Sequence, residues 1–258
     1  MTCSFFDQFA DSEGKLNNRS TTLFVVLSVL VYVVIQSFAI NAGLFPADDA
    51  LELAYVNGMR SWAELFGVDV FGLFRPVKNI LFRLFPFFPS GDMYGFRLIC
   101  IGIGVVSYFP VRSLCRKVFN SDVLAYVAST VWLLAPTLVS SVAWLSCVNI
   151  QVMVTFAACA VCQHDEGRTI VTSICLLLAC LSYESAVAVG PVIVAYDFFL
   201  RPDRFRTSSA WRAYAVYAIV TALYLCARWY IGSASSVNGS LAGVSRLELI
   251  GEIGRAHV

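Results

Sequence analysis

The chain has 258 residues, of which 59% are hydrophobic, 14% aromatic and only 14% charged, with a formal net charge of +1. One soluble core of this size cannot use so much apolar surface, so the composition predicts a protein of the lipid bilayer. A net charge near zero, without a basic stripe, also excludes a nucleic-acid binder, so partners are expected among lipids, sugars and proteins.

The first apolar run spans residues 22–44 and contains no charged residue. As a helix it is long enough to cross about 30 Å of hydrocarbon. It is too long, and lies too far from the start of the chain, for a standard signal peptide. We therefore predict a first membrane span at 22–44, preceded by a cytoplasmic N-terminal tail of residues 1–21.

The segment 45–95 that follows mixes charged residues with many aromatic ones. It begins with FPADDALELAYVNG, in which Asp48 and Asp49 stand side by side, and continues through WAELFGVDVFGLF and NILFRLFPFF. The last two stretches are amphipathic enough to lie along a membrane surface. We therefore expect a large folded outer loop that carries interfacial helices, rather than a flexible linker.

Six further apolar segments predict six more transmembrane helices. They are 96–114, 123–138, 149–162, 169–181, 185–200 and 214–231. The stretch 169–200 also fits one long tilted helix, but two short helices place every basic cluster on the same side of the membrane. The clusters consist of Lys15, Arg19, Arg112, Arg116, Lys117, Arg168, Arg201, Arg204, Arg206 and Arg212.

By the positive-inside rule the side that carries these basic clusters is cytoplasmic. The prediction is therefore an all-α multi-pass membrane protein with about seven spans and a cytoplasmic N-terminus. The loop 45–95 and the turn near Tyr183 and Glu184 then lie on the outer face.

Most of the nine cysteines lie in or beside apolar runs, where cysteine packs as a small core residue. Cys159 and Cys162 form a CxxC pair, with His164 two residues further on. One such pair with one histidine supplies only part of a zinc site, and no second pair with matching spacing follows. We interpret these residues as packing residues rather than metal ligands or a redox pair.

Chemistry on the outer face would have to use carboxylates, arginines or tyrosines, because the sequence has no phosphate-cradling glycine loop, HExxH or GxSxG motif there. Asp48 and Asp49 are candidates for a general base, since carboxylates near a low-dielectric boundary can accept a proton from a hydroxyl. The competing interpretation is a helix start after Pro46, where acidic residues favour the positive end of the helix.

Arg75 and Lys78, in FRPVKN, lie later in the same loop. Arginine offers a planar donor fork that suits a phosphate, and lysine offers a point charge. These two residues are therefore candidates for binding a phosphate-linked ligand. The alternative is that they hold lipid headgroups at the membrane surface.

Glu184, in SYES, stands between two short apolar segments, so its turn is expected to dip below the membrane surface. An ionisable residue at that depth is a candidate for function. The alternative is that Glu184 pairs with an arginine of the outer loop. Asp197, four residues before Arg201, is interpreted as part of a simple interfacial ion pair.

Taken in order, four stretches resemble the GT-C class of polytopic glycosyltransferases. They are DDA, then LFGVDVFGLFRPVKNILFRLFPFFPSGDMYGFRL, then LAPTLVSSVAWLS, then LLLACLSYESAVAVGPVIVAYDFF. The resemblance is closest to the transmembrane O-mannosyltransferases that carry tetratricopeptide repeats, and to their bacterial relatives. The chain departs from that pattern at Ala135-Pro136, where His-Pro is usual, at Ser141, where an acid is usual, and at Tyr183-Glu184, where Lys-Glu is usual.

The resemblance implies an inverting transfer of a mannose-like hexose from a polyprenyl-phosphate donor to a hydroxyl of a protein or glycan acceptor. The reaction would take place on the outer or lumenal face of a bacterial inner membrane or an endoplasmic reticulum membrane. The resemblance makes Asp48 or Asp49 the base, assigns Arg75 and Lys78 to the donor phosphate, and assigns Glu184 with Tyr183 to the acceptor or to orienting the site. A divalent metal is compatible with this scheme but not demanded by it.

Two other classes of function stay open. A transporter or flippase for a lipid-linked glycan would use the charged groups to line a pathway, and it predicts two repeated halves with interrupted helices. The sequence shows no such internal symmetry. A membrane scaffold without catalytic activity is the third interpretation.

The last seven residues, 252–258, read EIGRAHV and can be encoded by the start of a common sequencing adapter read in frame. We interpret them as a scar, and His257 with them. The natural chain is then expected to continue beyond Gly251, which makes residues 22–251 a truncated glycosyltransferase-like membrane module.

Overall fold

The computed structural model describes residues 18–39, 48–84, 93–135 and 142–238. Within these ranges the chain is mostly helical and has no strand, which confirms the all-α prediction for this part of the protein. The predicted tail up to residue 17, the segments 40–47, 85–92 and 136–141, the end of the predicted module at 239–251 and the predicted scar lie outside the described residues. The departures from the family pattern at Pro136 and Ser141 are among them.

The helices are numbered here in chain order. They are α1 Asn18–Ala39, α2 Asp48–Gly58, α3 Pro76–Arg83, α4 Met93–Phe119, α5 Asp122–Leu133, α6 Val148–Asp165, α7 Thr169–Ser182, α8 Val189–Leu200, α9 Pro202–Phe205 and α10 Ser208–Asn238. Three short 3₁₀ turns, Trp62–Phe66, Leu145–Cys147 and Glu184–Ala188, connect them.

Among the described residues, four helical segments are long and apolar enough to cross a membrane: Ser20–Phe38, Tyr94–Phe119, Leu145–Asp165 and Ser208–Gly232. They coincide with four of the seven predicted spans. Helices α5, α7 and α8 have only 12, 14 and 12 residues. At 1.5 Å per residue each covers about 20 Å, less than the roughly 30 Å of a hydrocarbon core. The four long helices are compatible with a membrane protein.

Many large apolar side chains lie on the outside of this helical assembly. Examples with more than half of their surface exposed are Val26, Leu30, Phe38, Phe109, Val131, Ile170, Leu223 and Trp229. Scattered exposed apolar residues are normal in water-soluble proteins, but contiguous belts on several long helices are typical of surfaces that face lipid or another protein. The exposure therefore agrees with the apolar composition of the chain.

Helices α4, α6 and α8 all end at the same end of the assembly. Lys117 Nζ of α4 lies 2.6 Å from Asp165 Oδ2 at the end of α6. Tyr196 of α8 donates its hydroxyl to Asp165 Oδ1 at 3.2 Å, and Arg201 Nε donates to the same oxygen at 3.2 Å. We call this the basic end, and it gathers Arg112, Arg116, Lys117, Arg168, Arg201 and Arg204.

Helices α1, α5, α7 and α10 run away from the basic end. Helix α5 starts after a two-residue turn from α4. Helix α1 runs parallel to α5, because two contacts four residues apart on each helix follow the same order. Phe24 stacks on Tyr126 at 5.9 Å, and Ser28 Oγ lies 2.7 Å from Thr130 Oγ1. Helices α7 and α10 follow α6 and α8 through short turns. The seven main helices therefore alternate in direction along the chain.

The chain reverses between α7 and α8, which confirms two helices in the stretch 169–200 and excludes one long helix. Tyr183 breaks the helix with an extended backbone, φ −156° and ψ 136°. Helix α7 begins beside Asp165, and α8 returns to Asp165 through Tyr196. The end with Tyr183 and Glu184 is thus opposite to the basic end.

The segment 45–95, which was predicted to be an outer loop with interfacial helices, differs from that prediction in one respect. The stretch WAELFGVDVFGLF does not form one amphipathic helix, because only Trp62–Phe66 form a 3₁₀ turn, and the chain then turns again at Asp69. Gly72 adopts a positive φ of 77°, a conformation that glycine reaches without a steric cost. By contrast, a short helix does form in this loop: α3 has Pro76 at its first position, where proline is favoured.

Candidate functional site

Five ionisable side chains meet at the end opposite to the basic end, and we call them the ion cluster. They are Glu52 of α2, Asp69 of the following turn, Arg75 and Lys78 at the start of α3, and Glu184 after α7. The segment Leu145–Asp165, which runs from this end to the basic end, has 21 residues. At 1.5 Å per residue the two ends are therefore about 30 Å apart.

The adjacent carboxylates Asp48 and Asp49 have different surroundings in the first turn of α2. Asp49 is fully buried, and its two oxygens accept hydrogen bonds from the Leu145 amide at 3.1 Å, the Ser146 amide at 2.8 Å and Ser146 Oγ at 2.9 Å. Asp49 thereby fastens α2 to the turn that leads into α6. Asp48 is half-buried, which makes it the more accessible carboxylate of the two.

Lys78 is buried between two carboxylates. Its Nζ forms a direct ion pair with Glu52 Oε1 and lies 3.5 Å from Asp69 Oδ2, and the residue is 1% exposed. The ring of Phe71 covers the ammonium group, with its centroid 5.2 Å from Nζ. Lys78 was predicted to bind a phosphate, and the structure places it inside the cluster instead of on its surface.

Glu52 is fully buried on α2. Burial raises the pKa of its carboxyl group, although the charge and hydrogen bond of Lys78 act in the opposite direction. Its second oxygen, Oε2, has no hydrogen-bond partner among the described residues. Glu52 is therefore a buried carboxyl group that holds a proton more readily than an exposed glutamate does.

Asp69 joins the two cations through a tight turn. Its Oδ1 accepts hydrogen bonds from the amides of Phe71 and Leu73 at 3.0 and 2.8 Å. Its Oδ2 lies 3.7 Å from Arg75 Nη1 and faces Lys78. Sequence reasoning did not select Asp69 as a site residue, although the D-x-x-G spacing with Gly72 was a usable signal.

Arg75 and Glu184 form a two-pronged ion pair across 109 positions of sequence. Arg75 Nε donates to Glu184 Oε2 at 2.8 Å, and Nη2 donates to Oε1 at 2.6 Å. The guanidinium carbon lies 4.6 Å from the centre of the Tyr183 ring, within cation–π distance. The interpretation that Glu184 pairs with an arginine of the outer loop is thus confirmed.

The pair holds both of its members in their charged forms. Burial raises the pKa of Glu184, but the hydrogen bond and charge of Arg75 outweigh it and hold that pKa below its ordinary value. Burial lowers the pKa of Arg75, but the hydrogen bond and charge of Glu184 more than offset it, so that this pKa is raised. Both groups are therefore ionised at neutral pH.

The balance of charges in the ion cluster is negative or neutral. Three carboxyl groups, Glu52, Asp69 and Glu184, face two cations, Arg75 and Lys78, which gives −1 if all are ionised and 0 if Glu52 is protonated. Each cation already has carboxylate partners from this chain. An anionic ligand that binds Arg75 or Lys78 directly has to replace one of those partners, while Arg228 of α10 adds positive charge near Glu184 from outside the cluster.

A second buried polar group lies at the basic end and was missed by sequence reasoning. His164 is fully buried, with Nε2 2.7 Å from Asp197 Oδ2 and Nδ1 3.0 Å from the Tyr217 hydroxyl. Asp197 is also fully buried and accepts a hydrogen bond from Tyr214 at 2.6 Å. Asp197 does face an arginine, with Arg204 Nε 3.6 Å from Oδ2, but it is not the simple ion pair that was predicted, because it also binds His164 and Tyr214 and because Arg201 pairs with Asp165.

The two nitrogens of His164 are thus engaged by protein groups rather than turned toward the CxxC pair. Cys162 contacts the Pro110 carbonyl oxygen instead, at 3.7 Å from Sγ. Cys159 and Cys162 are both free thiols. In the described ranges no three His, Cys, Asp or Glu side chains are grouped so as to hold a metal ion.

No protein-family model, curated protein or solved structure matches the chain. The residues of the ion cluster and their position in the fold are therefore the basis for assigning a function.

Proposed function

We propose that the chain is a membrane-embedded glycosyltransferase of the GT-C class. It transfers a sugar from a polyprenyl-phosphate donor to an acceptor hydroxyl at the ion-cluster end, with inversion at the anomeric carbon. The observation that carries the proposal is the Arg75–Glu184 pair beside the acidic helix α2. Arg75 and Glu184 come from two stretches singled out by the resemblance to that class, and α2, which begins with a third such stretch, joins the cluster through the Glu52–Lys78 ion pair.

In this proposal the seven alternating helices all cross the membrane. The basic end lies on the cytoplasmic side, as the positive-inside rule favours, and the ion cluster lies on the outer or lumenal side. The three short helices reach less far than the bilayer is thick, which brings Glu184 below the membrane surface and within reach of a lipid-linked phosphate.

Arg75 is the group that receives the donor phosphate. Its planar fork already binds a carboxylate through two parallel hydrogen bonds, the geometry that arginine also uses for phosphate. An apolar groove of about 440 Å³ between α8 and α10 offers a place for the prenyl chain. Its lining includes Val187, three residues after Glu184, together with Gly190, Pro191, Thr221, Ala222 and Leu225.

Asp48 is the better of the two candidate bases. Both carboxylate oxygens of Asp49 accept hydrogen bonds from Leu145 and Ser146, whereas the carboxylate of Asp48 in the same turn is more accessible. In the reaction the acceptor oxygen attacks the anomeric carbon and its proton passes to Asp48. The bond from carbon to phosphate oxygen breaks, and the phosphate leaves with the electron pair. Such a leaving group needs no general acid, and Arg75 stabilises its charge.

Lys78 and Tyr183 have supporting roles in this proposal. Lys78 is enclosed by Glu52 and Asp69, so it fixes the charge balance of the cluster rather than contacting the donor. Tyr183 stands where the resembling family has lysine, and here its ring orients the guanidinium of Arg75. Glu184 then either binds the acceptor hydroxyl or orients the other residues of the site.

The test is transfer activity in membranes that contain the full chain and radiolabelled polyprenyl-phosphate sugars. We expect Asp48→Asn to lower the rate about 10²- to 10⁴-fold, the usual contribution of a general base. Asp203→Asn, an exposed carboxylate of α9 at the basic end, is the matched control and keeps full activity. Undiminished transfer by Asp48→Asn at equal expression contradicts the assignment. Movement of the labelled lipid without a new glycosidic bond supports a flippase instead.

A further inference from the structure

The two cations of the ion cluster are held by carboxylates that differ in how firmly they are fixed. Glu52 is 0% and Asp69 2% exposed, and Asp69 is also tied to two backbone amides. The Glu184 side chain is 27% exposed and belongs to a five-residue 3₁₀ turn that follows the extended Tyr183. Of the three carboxylates, Glu184 is the most exposed, so its displacement uncovers no buried carboxylate. Arg75, which is only 8% exposed, then needs another anion in its place.

The position that Glu184 occupies is suited to a phosphate. Its two oxygens accept from Nε and Nη2 of Arg75 at 2.8 and 2.6 Å, and two phosphate oxygens can accept from the same fork. The Tyr183 ring, 4.6 Å from the guanidinium carbon, keeps the plane of the fork in place. Without a ligand, the carboxylate of Glu184 therefore stands where a phosphate would bind.

We propose that Glu184 is a built-in competitor for the Arg75 anion site, and that a prenyl phosphate binds by displacing the Glu184 carboxylate from Arg75. The inference rests on the proposed function for its ligand, a lipid-linked phosphate. Once displaced, Glu184 has a free carboxylate beside the donor and can accept a hydrogen bond from the acceptor hydroxyl. Donor binding then precedes acceptor binding.

The experiment measures binding to the purified full chain in detergent, with citronellyl phosphate as the probe. Glu184→Gln removes the competing charge and keeps the side-chain size. A charge-assisted hydrogen bond contributes about 1.5–3 kcal/mol, so we expect binding to tighten about tenfold to hundredfold. The double variant Arg75→Ala with Glu184→Gln should show none of this gain in affinity for citronellyl phosphate. Glu166→Gln is the matched control, because Glu166 pairs with Arg168 at the basic end and lies outside the cluster.

Two further probes identify what the site recognises. Citronellol lacks the phosphate and should show no difference between wild type and Glu184→Gln, whereas an equal gain for citronellol overturns the proposal. Inorganic phosphate should also bind Glu184→Gln more tightly, though more weakly than citronellyl phosphate. A gain for inorganic phosphate alone overturns the assignment of a lipid-linked ligand. Thermal melting of each variant in the same detergent checks folding, and Glu184→Ala serves as a second variant.

Failure of this inference and failure of the proposed function give different results. If wild type transfers sugar but Glu184→Gln binds citronellyl phosphate no more tightly, Glu184 is not a competitor and the glycosyltransferase proposal stands. If Glu184→Gln gains affinity through Arg75 but no variant transfers any labelled sugar, the anion site stands and the transferase proposal fails.

Discussion

The two ends of the helical assembly both hold helices together through ion pairs, but they do so in different ways. At the basic end the lysine and arginines in ion pairs keep part of their side-chain surface in solvent, from 21% for Lys117 to 62% for Arg168, and the His164–Asp197 pair is buried beside them. In the ion cluster Lys78 and Glu52 are 1% and 0% exposed. Exposed ion pairs contribute little to stability, whereas removing one partner of a buried pair is costly.

This difference supports the proposal that the ion cluster, and not the basic end, carries the chemistry. The excess of cations at the basic end is the basis for proposing that this end faces the cytoplasm. The ion cluster has carboxylates in excess and holds them away from water, an arrangement that a folded protein keeps only at a cost. Buried charged groups of this kind are candidates for function.

The largest effect on stability is expected at Lys78. Lys78→Met removes the ammonium group and leaves Glu52 and Asp69 buried without their shared cation. We expect the free energy of unfolding to fall by about 3–5 kcal/mol, measured by denaturant unfolding in detergent. The double variant Lys78→Met with Glu52→Gln should recover part of that loss. A single variant as stable as wild type would show that the cluster is hydrated.

The next largest effect on stability should distinguish Asp49 from its neighbour Asp48. Asp49→Asn weakens the hydrogen bonds to the Leu145 and Ser146 amides and is expected to cost about 1–3 kcal/mol of stability. Asp48→Asn should change stability by less than about 0.5 kcal/mol and act on transfer instead. The comparison is drawn from melting temperatures and transfer rates of both variants. Equal stability losses would remove the distinction between an anchor and a base.

The smallest effect is a change of stability with pH. The pKa of Glu184 is held below its ordinary value of 4.5, chiefly by Arg75 against the effect of burial. Its contribution to stability is therefore present above about pH 4.5 and is lost as the pH falls through the lowered pKa of the folded state. The melting temperature of wild type should fall more steeply between pH 5 and about 3 than that of Glu184→Gln. Parallel curves would mean that the pair does not contribute.

Apolar runs in the sequence were sufficient to locate all seven main helices, because a helix that avoids water must be apolar over most of its length. The break at Tyr183 also followed from the placement of basic residues. The residues at which the three short helices begin and end were less predictable, since tertiary packing decides how far a helix continues. The interfacial helix expected from WAELFGVDVFGLF did not form because Gly67 and Gly72 end or turn the backbone.

Side-chain partners were predictable only in part. Sequence selected Arg75 and Glu184 and left their pairing open, but nothing local distinguishes Asp48 from Asp49, two identical neighbours about 100° apart around a helix. Their roles depend on Leu145 and Ser146, nearly a hundred positions away. The pair of His164 and Asp197 was missed for the same reason, because packing of α6 against α8 brings them together.

The central claim is that the ion cluster, and not the basic end, is where chemistry occurs. The most direct measurement compares sugar transfer by Arg75→Lys and Arg201→Lys, two conservative changes to arginines that each pair with a carboxylate. Lysine cannot make the two parallel hydrogen bonds of Arg75, so we expect Arg75→Lys to lose at least about a hundredfold in rate and Arg201→Lys to stay within about twofold of wild type. Equal rates for the two variants would contradict the account.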